Sequence, residues 1–174
     1  MLFRSVVLGR DGVVKQTLGM GKLKEPWGVA VDHEGRIVVA DAKGDRVYVF
    51  KADGSVERSL GSEASAVGEL KCPMGVAVDR EGSIVVADQY NHRVQVFGRD
   101  GSVVRCFGSQ GRGPGELHYP EGVSVDDGGN VVVADAFNNR AQVFDREGRL
   151  VRTDRKSTRL NSSHSSVSRM PSSA

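Results

Sequence analysis

Proline stands at positions 26, 73 and 120, so the interval is 47 residues each time. The 29-residue stretches that begin at these prolines are nearly the same: the first two share 19 positions and the last two share 17. A chain that repeats in fixed phase at this period is built from one supersecondary unit used again and again, each unit burying a face against the next. Upstream, Val6-Val7-Leu8-Gly9-Arg10-Asp11-Gly12 matches the end of the same unit. It lies 42 rather than 47 residues before Gly54, which makes the loop that follows it five residues shorter.

Within the first copy the residues predict four short strands, at 28–32, 37–41, 46–50 and near 56–60. Each is rich in Val, Ile or Phe and is bounded by turn residues such as Asp32-His33-Glu34-Gly35 and Ala52-Asp53-Gly54. No stretch has a helical period. The second strand, Ile37-Val38-Val39-Ala40, is apolar on both faces, so both must be covered. Four-stranded antiparallel sheets covered on each side by neighbours are the blades of a β-propeller, and the expected fold is all-β.

Composition bounds the rest. The 174 residues carry 24 Lys+Arg against 22 Asp+Glu and two Cys. This charge does not by itself imply a nucleic-acid or membrane partner. Two cysteines make neither a disulfide framework nor a four-ligand zinc site. No apolar run reaches the length of a membrane span and the first residues are not a signal peptide, so the expectation is a soluble, intracellular chain. Residues 154–174 break the pattern: they hold eight Ser and no strand or helix period. Residues 154–164 resemble a translation of the adapter ligated to cDNA fragments for short-read sequencing, and 168–174 resemble a translation of the constant sequence beyond an index. The expectation is a non-native, disordered tail, in which Asn161-Ser162-Ser163 is only a chance glycosylation sequon. Without it the formal net charge falls from +2 to −1. The predicted organisation is therefore the end of a preceding blade at 1–25, blades at 26–72, 73–119 and 120–153 with the last truncated at its final strand, and the tail at 154–174.

The pattern P-x-G-V-A-V-D-x-E-G-x-I-V-V-A-D-x-x-N-x-R-V-Q-V-F resembles the NHL repeat, well over 26–153 and in part over 4–25. That resemblance implies an NHL-type propeller closing with about six blades. This chain would supply three full blades and half of a fourth, leaving apolar faces open at its ends. It is most similar to the C-terminal propellers of tripartite-motif RING-type ubiquitin ligases, which recruit RNA or protein targets. The alternative is an NHL-type extracellular or secretory enzyme, lyase-like, or a sensor. For the first reading the implied location is cytoplasmic.

Alternate loops of antiparallel blades fall on opposite faces. One face carries the turns between second and third strands and the long connections between blades. Trp27, Lys43, Tyr90, Asn91, His92, Arg112, His118 and Tyr119 are its candidate partner- or RNA-binding residues, since aromatics beside cations suit stacking on unpaired bases. Its summed charge is about zero, however, where a dedicated RNA surface is positive. The pairs Asp41/Arg46, Asp88/Arg93 and Asp135/Arg140 recur in every copy and so are expected to close turns rather than to catalyse. The glycine-rich 108–115 precedes a strand and lacks the Lys-Ser/Thr of a phosphate loop, which makes it a connection. His33, His92 and His118 do not converge as metal ligands. Cys72 and Cys106 are expected as free, mostly buried thiols. The strands expected to line the channel read Gly-Val-Ala-Val or Gly-Val-Ser-Val, with no His, Glu or extra Asp facing in. The chain is thus expected to be a binding module with no catalytic residue and no cofactor or metal in this segment. Protein targets are the expected partners and single-stranded or hairpin RNA a further class, with neither DNA nor membrane.

Overall fold

In the computed structural model, residues 4–61 and 66–155 are described. Strands β1 (Ser5–Leu8) and β2 (Val14–Leu18) form a hairpin, and three four-stranded antiparallel sheets follow. Blade 1 is β3 (Pro26–Val31), β4 (Ile37–Asp41), β5 (Arg46–Phe50) and β6 (Val56–Leu60). Blade 2 is β7 (Pro73–Val78), β8 (Ile84–Asp88), β9 (Arg93–Phe97) and β10 (Val103–Phe107). Blade 3 is β11 (Pro120–Val125), β12 (Val131–Asp135), β13 (Arg140–Phe144) and β14 (Leu150–Arg155). In every blade the strands pair in chain order. The propeller reading of the repeat is the observed architecture.

The last strand of blade 3 is present, and it runs past the boundary expected at Asp154: Asp154 pairs with Ala141 and Arg155 with Arg140. Ladder hydrogen bonds use the backbone, so they accept almost any side chain. The rest of the expected tail, with Asn161, lies outside the described residues.

The first turn of each blade repeats one local device. Asp32 Oδ1 accepts the N–H groups of Glu34 and Arg36 at 2.9 and 2.8 Å. Asp79 does the same for Glu81 and Ser83, and Asp126 for Gly128 and Asn130. The glycine that completes the turn, Gly35, has φ of 78°, where a side chain would be strained.

Blades pack face to face. Val38, Ala40, Val47 and Val49 of blade 1 meet Leu70, Val76, Ile84, Val86 and Phe97. Val85, Val94 and Val96 of blade 2 meet Leu117, Val131, Val133 and Phe144. The hairpin covers the other side of blade 1 through Leu18, Leu23, Ile37, Val39 and Phe50. That is why β4 and β8 are buried at every position. Each fully buried side chain of this kind is worth about 1.5–3 kcal/mol. No following blade is present among the described residues, so β12 buries only alternate positions and Val132 is 36% exposed.

The innermost strands β3, β7 and β11 sit side by side. A Cβ at Gly28 would lie 2.2 Å from the Met74 carbonyl oxygen, and one at Gly75 would lie 2.5 Å from that of Glu121. The glycine two places after the first and second repeat prolines is therefore required by the convergence of the blades.

Candidate functional site

One face of the molecule carries a short 3-10 turn per blade, at Ala42–Gly44, Gln89–Asn91 and Ala136–Asn138, together with the connections into each blade. Beneath it lies a buried polar clamp. In blade 3, Asp135 is fully buried and its Oδ1 accepts the His118 N–H at 2.7 Å. Its Oδ2 accepts from Arg140 Nε at 2.6 Å, Asn138 Nδ2 at 2.9 Å and Gln142 Nε2 at 3.3 Å. Arg140 then donates to the carbonyls of Arg112, Gly113 and Glu116, and Gln142 bridges the Glu116 carbonyl and the Gly115 N–H. Blade 2 repeats this: Asp88 takes the Lys71 N–H and Arg93 Nε, and Gln95 bridges Glu69 and Gly68. Each clamp fixes an irregular connection by satisfying its backbone, and a buried charge pair is tolerable because every partner is hydrogen-bonded.

Blade 1 has only part of this device. Asp41 accepts the N–H groups of Lys24 and Glu25 at 2.9 and 2.6 Å. Arg46 is exposed, and among the described residues no ion pair joins it to Asp41. The reason is in the sequence: the connection into blade 1 is five residues shorter, Tyr48 stands where the glutamines stand, and there are fewer carbonyls to bind. The buried Gln95 and Gln142 escape a reading by residue type, because a Gln in a strand reads as solvent-facing. Their signal is that both occupy one phase of the repeat, in β9 and β13.

A second cross-link ties neighbouring blades. The residue that ends each 3-10 turn is left-handed: Asp45, His92 and Asn139 have φ of 51°, 53° and 51°. Asp45 Oδ1 accepts the Cys72 N–H at 2.7 Å, and His92 Nδ1 accepts the Tyr119 N–H at 3.1 Å. Cys72 and Tyr119 are left-handed too, at φ 51° and 52°. Accepting at Nδ1 requires a neutral imidazole on that nitrogen. Burial, and then the neighbouring His118, push the His92 pKa below its ordinary value.

Above these links the side chains divide. Trp27 and Tyr90 are 60% and 52% exposed, and Lys43 and Arg112 are exposed. Phe137, at the phase of Lys43 and Tyr90, is 59% exposed and belongs to the same face, though residue type alone did not single it out. Asn91 is half-buried and donates to both oxygens of Asp88. His92 is buried and does not face solvent, because the ring of Tyr119 from the next blade covers it at 4.5 Å. His118 and Tyr119 are half-buried within one aromatic cluster. Tyr119 lies 5.5 Å from Tyr90, 5.0 Å from His118 and 4.7 Å from Phe137.

At the junction of blades 1 and 2 this face opens into a hollow of about 350 Å³, lined by Glu25, Ala42, Lys43, Asp45, Lys71, Cys72 and Tyr90. Lys43 Nζ is 2.7 Å from Glu25 Oε2, and the Trp27 indole N–H donates to Glu25 Oε1 at 3.1 Å. Lys43 first, then Trp27, hold the Glu25 carboxyl below the usual carboxylate range. Burial first, then Asp45, push the Cys72 thiol up, which favours its neutral form. Cys106 is exposed rather than buried, because β10 is the outer strand of its blade. Beside the innermost strands Glu121, Trp27 and Met74 line an open mouth, and the Glu121 carboxylate accepts from Gln89 Nε2 at 3.4 Å. Among the described residues no group of three or more His, Cys, Asp or Glu is placed to hold a metal ion.

The opposite face is built differently. It carries ion pairs that cross between blades: Arg99 with Glu34, Arg146 with Glu81 at 2.8 Å and Arg80 with Asp127 at 2.5 Å.

Comparison with known proteins agrees with this geometry. Residues 23–50, 70–97 and 117–144 each match the NHL repeat. The E3 ubiquitin-protein ligase TRIM71 of Rattus norvegicus is 60% identical over 37 residues, which is 21% of this chain and 4% of that protein. Protein lin-41 of Caenorhabditis elegans is 46% identical over 41 residues, 24% of this chain and 4% of that one. Among solved structures, a nidogen/laminin complex superposes with a TM-score of 0.70 at 21% identity, over 87% of this chain and 55% of the other. Virginiamycin B lyase from Staphylococcus aureus superposes at 0.66 and 13% identity, over 87% of this chain and 48% of the other. These likenesses show the fold alone, and the chain spans about half of those structures. The chain carries three NHL repeats stacked as propeller blades.

Proposed function

We propose that these NHL repeats form a recognition module, and that the face carrying the 3-10 turns docks a protein target. The observation that supports this is the contrast between the faces. One holds large apolar rings in water, Trp27, Tyr90 and Phe137, and its connections into blades 2 and 3 are fully clamped. The other carries salt bridges between blades. Exposed aromatics on a rigid support are what binding surfaces concentrate. The summed charge near zero favours protein over nucleic acid; single-stranded RNA stacked on the same rings is the second class to test. The likeness to the E3 ubiquitin-protein ligase TRIM71 supports reading the parent chain as a ubiquitin ligase whose propeller selects its targets, and we propose the cytoplasm as its location. The module needs no cofactor of its own.

A photoreactive phenylalanine at position 90 tests the face. Crosslinked protein products in cell extract from position 90, and none from position 80 on the opposite face, are the expected result. Equal labelling from both would count against a dedicated face. For the RNA branch, a pool of single-stranded RNAs is offered to the chain and to a variant with Tyr90, Arg112 and His118 replaced by Ala. No binding at the start, or binding unchanged by the replacements, removes that branch.

A further inference from the structure

The two blade junctions share one backbone and differ in what fills it. At the second, Tyr119 is ringed by Tyr90, His92, His118 and Phe137, with centroids 4.5 to 5.5 Å away. One repeat earlier these five positions are Cys72, Lys43, Asp45, Lys71 and Tyr90, and all five line the hollow of about 350 Å³. The hollow is therefore the seat of a ring that the first junction lacks. The backbone is not the reason for the difference, since Cys72 and Tyr119 share the left-handed conformation and the same amide link to the preceding blade.

We infer that this seat takes a tyrosine side chain from a protein partner. This deepens the proposed function and rests on that reading of the face. The shape follows from the occupant of the second junction. The chemistry follows from the lining. Tyr90 offers its ring, which is 52% exposed, for an edge or offset contact. Asp45 uses Oδ1 for the Cys72 N–H, and its Oδ2 accepts no bond from a described residue, so it is the acceptor for a phenolic O–H. Lys43 is neutralised by Glu25, which leaves Lys71 and Asp45 as a balanced pair at the mouth. A seat with no net charge gives a phosphate chain little attraction, whereas a neutral ring with one donor meets every group it needs.

The test uses p-cresol, the tyrosine side-chain analogue, titrated against the full chain by ligand-observed NMR. A ligand this small in a shallow seat is expected to bind with Kd on the order of 1 mM. Cys72→Tyr, which fills the seat as Tyr119 fills its own, is expected to weaken binding at least tenfold. Asp45→Asn keeps an amide acceptor and is expected to weaken it severalfold. Tyr119→Cys empties the second seat and is expected to raise the stoichiometry from one to two, a readout independent of Cys72→Tyr, whose failure to fold would itself count against the seat. Uridine monophosphate at equal concentration is expected not to displace p-cresol. Undiminished binding to Cys72→Tyr, displacement by the nucleotide, or no p-cresol binding at tens of millimolar would each overturn the inference. Failure of p-cresol with crosslinking from position 90 intact removes only the seat, whereas failure of both removes the recognition face as well.

Discussion

Between blades 2 and 3 the chain seats Tyr119 among four rings, and between blades 1 and 2 it holds Cys72 in the same conformation and leaves space. Beneath both junctions the support is the same: a buried Asp, an Arg and a Gln that fix the incoming connection. The difference teaches how a repeat acquires a site. The parts that make blades stack recur, and the residues free to vary are those set above them. Function is then sought where equivalent positions disagree, and structure where they agree.

If the support is shared, removing it must cost the same at either junction. Asp88→Ala and Asp135→Ala are each expected to destabilise the chain by about 3–5 kcal/mol, because each leaves a guanidinium without its buried carboxylate. Urea unfolding checks this, and a cost confined to one blade would break the equivalence. Next in size, Tyr119→Cys copies the first junction into the second. It forfeits ring contacts worth about 0.5–1.5 kcal/mol each for the pairs that matter, so a loss of about 1–3 kcal/mol in the same experiment is expected.

A smaller effect separates the junctions by pH. The folded chain holds His92 neutral, so the unfolded chain takes up the proton first as the pH falls. Stability is full above the unfolded imidazole value of about 6.5 and declines below it, because the unfolded state then binds more protons. At the equivalent position the first junction carries Asp45 and no imidazole. His92→Asn, the residue that blade 3 carries as Asn139, is expected to flatten the pH profile between about 7 and 5. A profile that stays unchanged would show that the Tyr119 N–H link does not depend on the imidazole. Smallest of all, Arg46→Ala is expected to change stability by less than about 0.5 kcal/mol, since the side chain is exposed and the first clamp is made without it.

Much of the fold could be read from the residues, because the 47-residue phase marks every strand and the turn chemistry is local. The repeated Asp positions announce their own job by repeating. What could not be read depends on the neighbouring blade. His92 looks like a surface residue until Tyr119, 27 positions on, is seen lying over it. Gln95 and Gln142 look solvent-facing until the connections they bridge are folded onto them. The hollow needed both a substitution, Cys72 for Tyr119, and the knowledge that the position faces its neighbour. Only the first of these is written in the sequence.

The central claim is that the hollow is an empty ring seat and not a space that the fold keeps closed to bulk. The unfolding free energy of Cys72→Tyr tests it most directly. A ring placed in its seat leaves stability unchanged or raises it. A loss of more than about 1 kcal/mol, the cost of overpacking, would contradict the account.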